Sequence, residues 1–315
     1  MLTHWHARSV LLALLALAYA SAGEDTNHSP SVSTFRSTVS EVRVTFFATD
    51  ENNHPPENLT KADFAVVDNE RVVRNFRSFT HSDETALDVV ALVDMSESVA
   101  PRLRAAISDV LQLVALEQSI PDDTIAVLSF GGMLDRTSGG MRPAILCSSD
   151  CRPSDSASKL LAVKSGGTTP LFDALILGAD FISHHRRAGT RPVEILFSDG
   201  NDTISLHSAR DALQAVLDGG ALIYSVDIGT SESQSSGSMF LRQVSEATGG
   251  RYFSLGDGAA TVLNAVLEDL RASYVVTYDL PSQQAGFHSL RLLPTHNLNL
   301  KFHSRNGYDY EPSGH

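Results

Sequence analysis

The sequence predicts an α/β protein: a doubly wound, mostly parallel, Rossmann-like sheet, inserted in or flanked by a small β-sandwich. Three observations carry this. Val89–Val93 and Val193–Phe197 are short runs, largely β-branched and aliphatic, of the kind found in strands buried on both faces. Between residues 86 and 272 such runs alternate with apolar residues at helical spacing. On either side of that region the apolar period changes to two.

Taken in order, Val42, Val44 and Phe46 alternate with Arg43, Thr45 and Phe47, which predicts a strand. Asp50–Pro56 is a turn cluster, and Thr60-Lys-Ala-Asp63 has the residues to cap a short helical turn. Phe64–Val67 and Arg71–Phe76, joined by Asp68-Asn69-Glu70, read as a hairpin. The strand at 86–94 leads to a helix marked by Leu103, Ile107, Val110, Leu111 and Val114. Thr124–Phe130 is a strand and Met141–Cys147 a short edge strand. Leu171, Leu175, Gly178 and Ile182 mark the next helix, which the strand Val193–Ser198 follows. Ala209, Leu213, Val216 and Leu217 line a helix before the strand Ala221–Ile228. Phe240, Leu241 and Val244 belong to a helix stopped by Gly249-Gly250. Tyr252–Leu255 is a last strand and Val262, Val266 and Leu270 a last helix. Beyond Ala272, Tyr274, Val276 and Tyr278, then Leu290 and Leu292, then Leu298, Leu300 and Phe302 restore the β pattern. Each flanking β segment is too small for a core of its own, so the two are expected to pack together.

The organisation expected is therefore a leader at 1–22, a spacer and β segment at 23–84, the α/β domain at 85–272 and a β segment at 273–315. Arg8, the apolar run Val10–Ala20 and Ala20-Ser21-Ala22 have the form of a secretory signal and its cleavage site. No later stretch has the length and apolarity to cross a bilayer. The expected locations are periplasm, cell surface or medium. In an exported chain the two cysteines, Cys147 and Cys151, are expected to form a local disulfide. A net charge of −13 argues against nucleic acid and anionic membrane surfaces as partners.

The chemistry gathers where the first core strand ends. Asp94-Met95-Ser96-Glu97-Ser98 supplies carboxylate and hydroxyl oxygens just past a strand's carboxyl end, where open α/β sheets bind ligands. Such hard oxygens suit a cation like Mg²⁺. A Gly/Thr turn, Gly166-Gly-Thr-Thr-Pro170, opens a later helix, and a second buried strand ends in Asp199-Gly200. Catalytic signatures are thin: there is no His-Glu-x-x-His, no Gly-x-Ser-x-Gly and no phosphate loop, and Ser198 beside Asp199 lacks a placed histidine.

These three stretches together resemble the von Willebrand factor A domain and its metal-ion-dependent adhesion site, over roughly residues 85–272. The resemblance implies that Asp94, Ser96, Ser98, Thr169 and Asp199 hold Mg²⁺ or Mn²⁺. It implies that the hydroxyls bind directly and the carboxylates largely through water, with one position open to a carboxylate of a protein partner. Counting back from Ala174 favours Thr169 over Thr168 by one residue. Glu97 stands where the family often has Gly, and Asp202 is a further neighbour of the site. Leu59-Thr60-Lys-Ala-Asp63-Phe64, Thr248-Gly-Gly-Arg-Tyr-Phe253 and Arg305-Asn-Gly-Tyr308 also resemble motifs of a bacterial exported "VWFA-related" family. The function expected is a non-enzymatic binding or adhesion module that captures an acidic group of a protein partner. The alternative is a structural component of an envelope complex, in which the metal only stabilises the fold.

Overall fold

A computed structural model describes residues 41–312, apart from 57, 82–85, 118–122, 132–143, 149–152, 163, 230–234 and 255–258. The expected leader, the spacer, Cys151 and its pairing with Cys147 lie outside the described residues.

The α/β core begins with β5 (Leu87–Asp94), α1 (Leu103–Glu117), β6 (Thr124–Phe130), β7 (Ala144–Cys147) and α2 (Pro153–Ala162). It continues through α3 (Leu171–His185), β8 (Arg191–Ser198), α4 (Ala209–Gly219), β9 (Leu222–Asp227), α5 (Ser236–Thr248), β10 (Tyr252–Ser254) and α6 (Ala259–Arg271). Its six-stranded sheet has the order β10-β9-β8-β5-β6-β7. All neighbours are parallel except β6 and β7 at one edge. Every residue of β5 and β8 is buried, which is why both read as unbroken apolar runs. Val89, Ala91 and Val93 face the layer of α1 and α6, where Ala106, Val110, Val266 and Leu270 pack. Val90 and Leu92 face the other layer, with Ala174 and Leu175 of α3, Val216 of α4 and Val244 of α5. The chain winds to opposite sides of β5, so the β5/β8 junction is the point where the strand order reverses.

The flanking segments supply β1 (Glu41–Thr49), β2 (Phe64–Asp68), β3 (Arg71–Val73) and β4 (Ser78–His81) before the core. After it come β11 (Tyr274–Asp279), β12 (Gly286–Pro294), β13 (Lys301–Ser304) and β14 (Gly307–Tyr310). They interleave in two four-stranded sheets, β13-β1-β11-β4 and β14-β12-β2-β3. Val42, Val44 and Phe46 share one apolar core with Phe64, Val66, Val276, Leu290 and Leu292. The expected hairpin is present as β2–β3 but ends at Val73; β4 then crosses to the other sheet and pairs with β11. The Thr60–Asp63 segment is a turn rather than a helix, closed by hydrogen bonds from the Thr60 amide and hydroxyl to Asp63.

The remaining sequence motifs meet where the core joins these sheets. A Cβ on Gly250 would lie 1.9 Å from the Ile223 carbonyl oxygen, and Gly249, at φ +90°, rests on the Ser304 backbone. Arg251 holds the buried Asp269 of α6 through Nε and a terminal nitrogen, at 2.7 and 2.8 Å. The Asn306 amide donates to the Ala247 carbonyl at 2.8 Å. The Tyr308 and Tyr278 hydroxyls both donate to Asp68, buried between the sheets, at 2.7 Å.

Candidate functional site

Asp94 ends β5 and Asp199 directly follows β8, so parallel pairing of the two strands brings both carboxylates to the carboxyl end of the sheet. Asp94 is fully buried. Its Oδ1 accepts from the Ser96 amide at 2.9 Å and its Oδ2 from the Ser198 hydroxyl at 2.7 Å. Burial pushes the Asp94 carboxyl up to about 6 against these hydrogen bonds, and the charge of nearby Asp199 pushes the same way. Asp199 is buried and accepts from the Asn201 amide at 3.0 Å, an Asx turn completed by Gly200 at φ +76°.

The segment after Asp94 is not a helix cap, because α1 starts only at Leu103. It is a loop held by its neighbours. The Met95 amide donates to Phe130 O at 2.8 Å, and the Gly166 amide donates to Met95 O at 3.0 Å. Gly131 packs so closely that a Cβ there would meet Ser96 N at 3.0 Å and Thr168 O at 3.2 Å. The Ser96 and Ser98 hydroxyl oxygens are 3.2 Å apart, Ser96 buried and Ser98 exposed.

Of the doubled threonines, Thr169 is buried and Thr168 exposed. Thr203 clamps Thr169: its amide donates to the Thr169 carbonyl at 2.9 Å, and the Thr169 amide donates to its Oγ1 at 2.7 Å. The loop after Asp199 is thus stitched to the loop carrying Thr169. Asp202 accepts from the Phe172 amide at 3.3 Å and from the Ser205 hydroxyl, and so caps α3. Glu97 is exposed.

The donor set fits a hard divalent cation. Oxygens about 2.1 Å from Mg²⁺ in octahedral geometry stand about 3 Å from their neighbours, and the Ser96–Ser98 hydroxyl spacing is 3.2 Å. Among the described residues no group of three or more His, Cys, Asp or Glu side chains is placed to hold an ion. Ser96, Ser98 and Thr169 would be the cation's direct ligands, with Asp94 and Asp199 orienting water around it.

No family model matches the chain, and no curated protein matches it. Solved structures do. One is an aerotolerance-related membrane protein of Bacteroides fragilis with multiple mutations to serines; it is 17% identical over 59% of this chain and 98% of its own, with a TM-score of 0.44. Another is the VWA domain of SpRpn10, 13% identical over 57% of this chain and 95% of its own, with a TM-score of 0.43. A von Willebrand factor A domain is thus among its structural neighbours. The α/β architecture, a mostly parallel six-stranded sheet with helices on both faces, agrees with the class expected from the sequence.

Sequence reasoning passed over three residues of this end of the sheet. Ser198 lacks the histidine a nucleophile needs, yet it orients Asp94; its position, just before an Asp at a strand end, is the signal. Thr203 carried no signal, because its partner Thr169 is 34 residues away. Asp227, at the end of β9, accepts from the Ser238 and Tyr252 hydroxyls at 2.6 and 2.7 Å and ties β9 to α5 and β10 beside Asp199.

Proposed function

We propose that the protein is an exported, non-enzymatic binding module that captures a carboxylate of a protein partner through Mg²⁺ or Mn²⁺ held by Asp94, Ser96, Ser98, Thr169 and Asp199. The observation that carries this reading is the pair of Ser96 and Ser98 hydroxyls, 3.2 Å apart, in a loop fixed beside two buried carboxylates at the β5/β8 switch point. When bound, the cation supplies a Lewis-acidic position that accepts a carboxylate oxygen. The protein's part is to hold three neutral hydroxyls around it, which leave the ion electrophilic, and to keep both aspartates from neutralising it directly. No described helix has the length and apolarity to cross a membrane.

Thermal unfolding, followed by circular dichroism, tests the reading. The midpoint rises with millimolar Mg²⁺ or Mn²⁺ relative to EDTA, and Asp94→Ala abolishes the rise. An unchanged midpoint at every metal concentration sinks it.

The second reading, a structural component contacting its complex through the β sheets, draws on the outer face of β12, where Phe287 and Leu293 are exposed, and on exposed Val72 of β3. Partner binding that persists in EDTA selects it.

A further inference from the structure

Three exposed apolar side chains border the same end of the sheet. Leu206, 82% exposed, and Ile204, 38% exposed, lie in the loop that follows Asp199; Met239, 58% exposed, lies in the first turn of α5. The loop and that turn touch, for a Cβ on Gly200 would fall 2.2 Å from the Gly237 carbonyl oxygen. The half-buried rings of Phe172 and Phe240 meet edge to face at 5.0 Å, joining the starts of α3 and α5.

Leu206 is presented rather than loose. Its amide donates to Asp173 Oδ2 and the next amide, of His207, to Asp173 Oδ1, both at 3.1 Å. Thr203 fixes the loop to Thr169 upstream, and Ser208 and Asp211 close it downstream with a capping box that starts α4. A leucine held out in water on a fixed backbone is pre-organised for a contact.

The charge around it narrows what that contact is. Glu97 and Asp202 stand at this end of the sheet with Asp94 and Asp199, on a chain of net charge −13. A single cation offsets one incoming carboxylate; further acidic groups on the partner meet repulsion.

We propose that Leu206, Ile204 and Met239 form the specificity surface of the site, and that its occupant is a protein segment bearing one carboxylate flanked by bulky apolar side chains. This rests on the metal-site reading above. The cation fixes the carboxylate, and the apolar rim selects its neighbours.

The test uses a display library of peptides with one fixed central Asp and random flanks. It is screened on the immobilised protein in Mg²⁺ and eluted with EDTA. The eluate is enriched several-fold in Leu, Ile, Phe or Met within three residues of the Asp. The double variant Leu206→Ser/Met239→Ser loses that enrichment and binds a selected peptide roughly tenfold more weakly, while its Mg²⁺-dependent rise in unfolding midpoint matches the parent's. Polar or acidic flanks, or apolar flanks that survive in the variant, overturn the surface. So does a protein that shows the Mg²⁺ rise but yields no EDTA-eluted peptide. Loss of the Mg²⁺ rise in the parent overturns the metal reading itself, and the surface with it.

Discussion

The Ser198 hydroxyl donates to Asp94 Oδ2 at 2.7 Å, from the last residue of one strand to the last of its neighbour, with both side chains fully buried. Because Ser96 holds the other oxygen, the Asp94 carboxylate has one orientation. Ser198→Ala frees it. The Mg²⁺ concentration giving half the thermal rise is expected to increase roughly ten- to a hundredfold, and Ser198→Thr to restore it. A metal titration followed by unfolding midpoint checks this.

Glu194 of β8 lies fully buried against Gly178 of α3, and neither carboxyl oxygen has a hydrogen-bond partner. Burial pushes its carboxyl up to about 8, from an ordinary 4.5. The folded state therefore binds a proton that the unfolded chain releases. Stability present below about pH 4.5 is lost as pH rises through 8. Urea unfolding at pH 5, 7 and 9 is expected to show Glu194→Gln overtaking the parent, by a few kcal/mol at pH 9. Parallel pH profiles for the two proteins contradict the assignment.

Arg251 and Asp269 form a bidentate pair whose carboxylate is almost wholly out of water. Arg251→Ala leaves that carboxylate alone and is expected to destabilise the fold by roughly 3–5 kcal/mol. Arg251→Lys recovers only part, since an ammonium cannot match both oxygens. Chemical denaturation of the two variants measures the difference.

Gly250 has no room for a methyl group, with the Ile223 carbonyl oxygen 1.9 Å from the position of a Cβ. Gly250→Ala is expected to lower stability by at least about 1–3 kcal/mol. Gly220, at the end of α4, has nothing within 4 Å of its Cβ position but sits at φ +67°. Gly220→Ala there carries only backbone strain, on the order of 1 kcal/mol. The ordering of the two midpoints is the check.

Legibility tracked how far each signal reached along the chain. Val89–Val93 and Val193–Phe197 could be read because burial on both faces writes itself into the residues; Glu194, inside the second run, stood as a polar exception with no stated role. Little in the sequence announces α2: Pro153-Ser-Asp-Ser-Ala-Ser-Lys has weak apolar periodicity, and among its described side chains Leu160 alone is buried. β4 was missed because Ser78-Phe-Thr-His81 is short and its partner β11 lies almost two hundred residues on. Asp94, Ser96, Ser98 and Asp199 were legible as candidates in strand-end motifs, and Thr169 in the turn before α3. What holds them was not. Thr203 against Thr169 and Asp173 beneath Leu206 are pairings between separate loops, which no local pattern records.

The interleaved sheets also set how the molecule carries mechanical load. The core departs after β4 and returns at β11, and these two strands are antiparallel neighbours, with Tyr274 opposite His81. Tension applied to the ends of the described chain enters at β1 and β14, both already tied into the flanking sheets. The β4–β11 ladder closes the loop that contains the whole α/β core. Extending the chain through that loop, and so through the strands that carry Asp94 and Asp199, requires the β4–β11 ladder to part first.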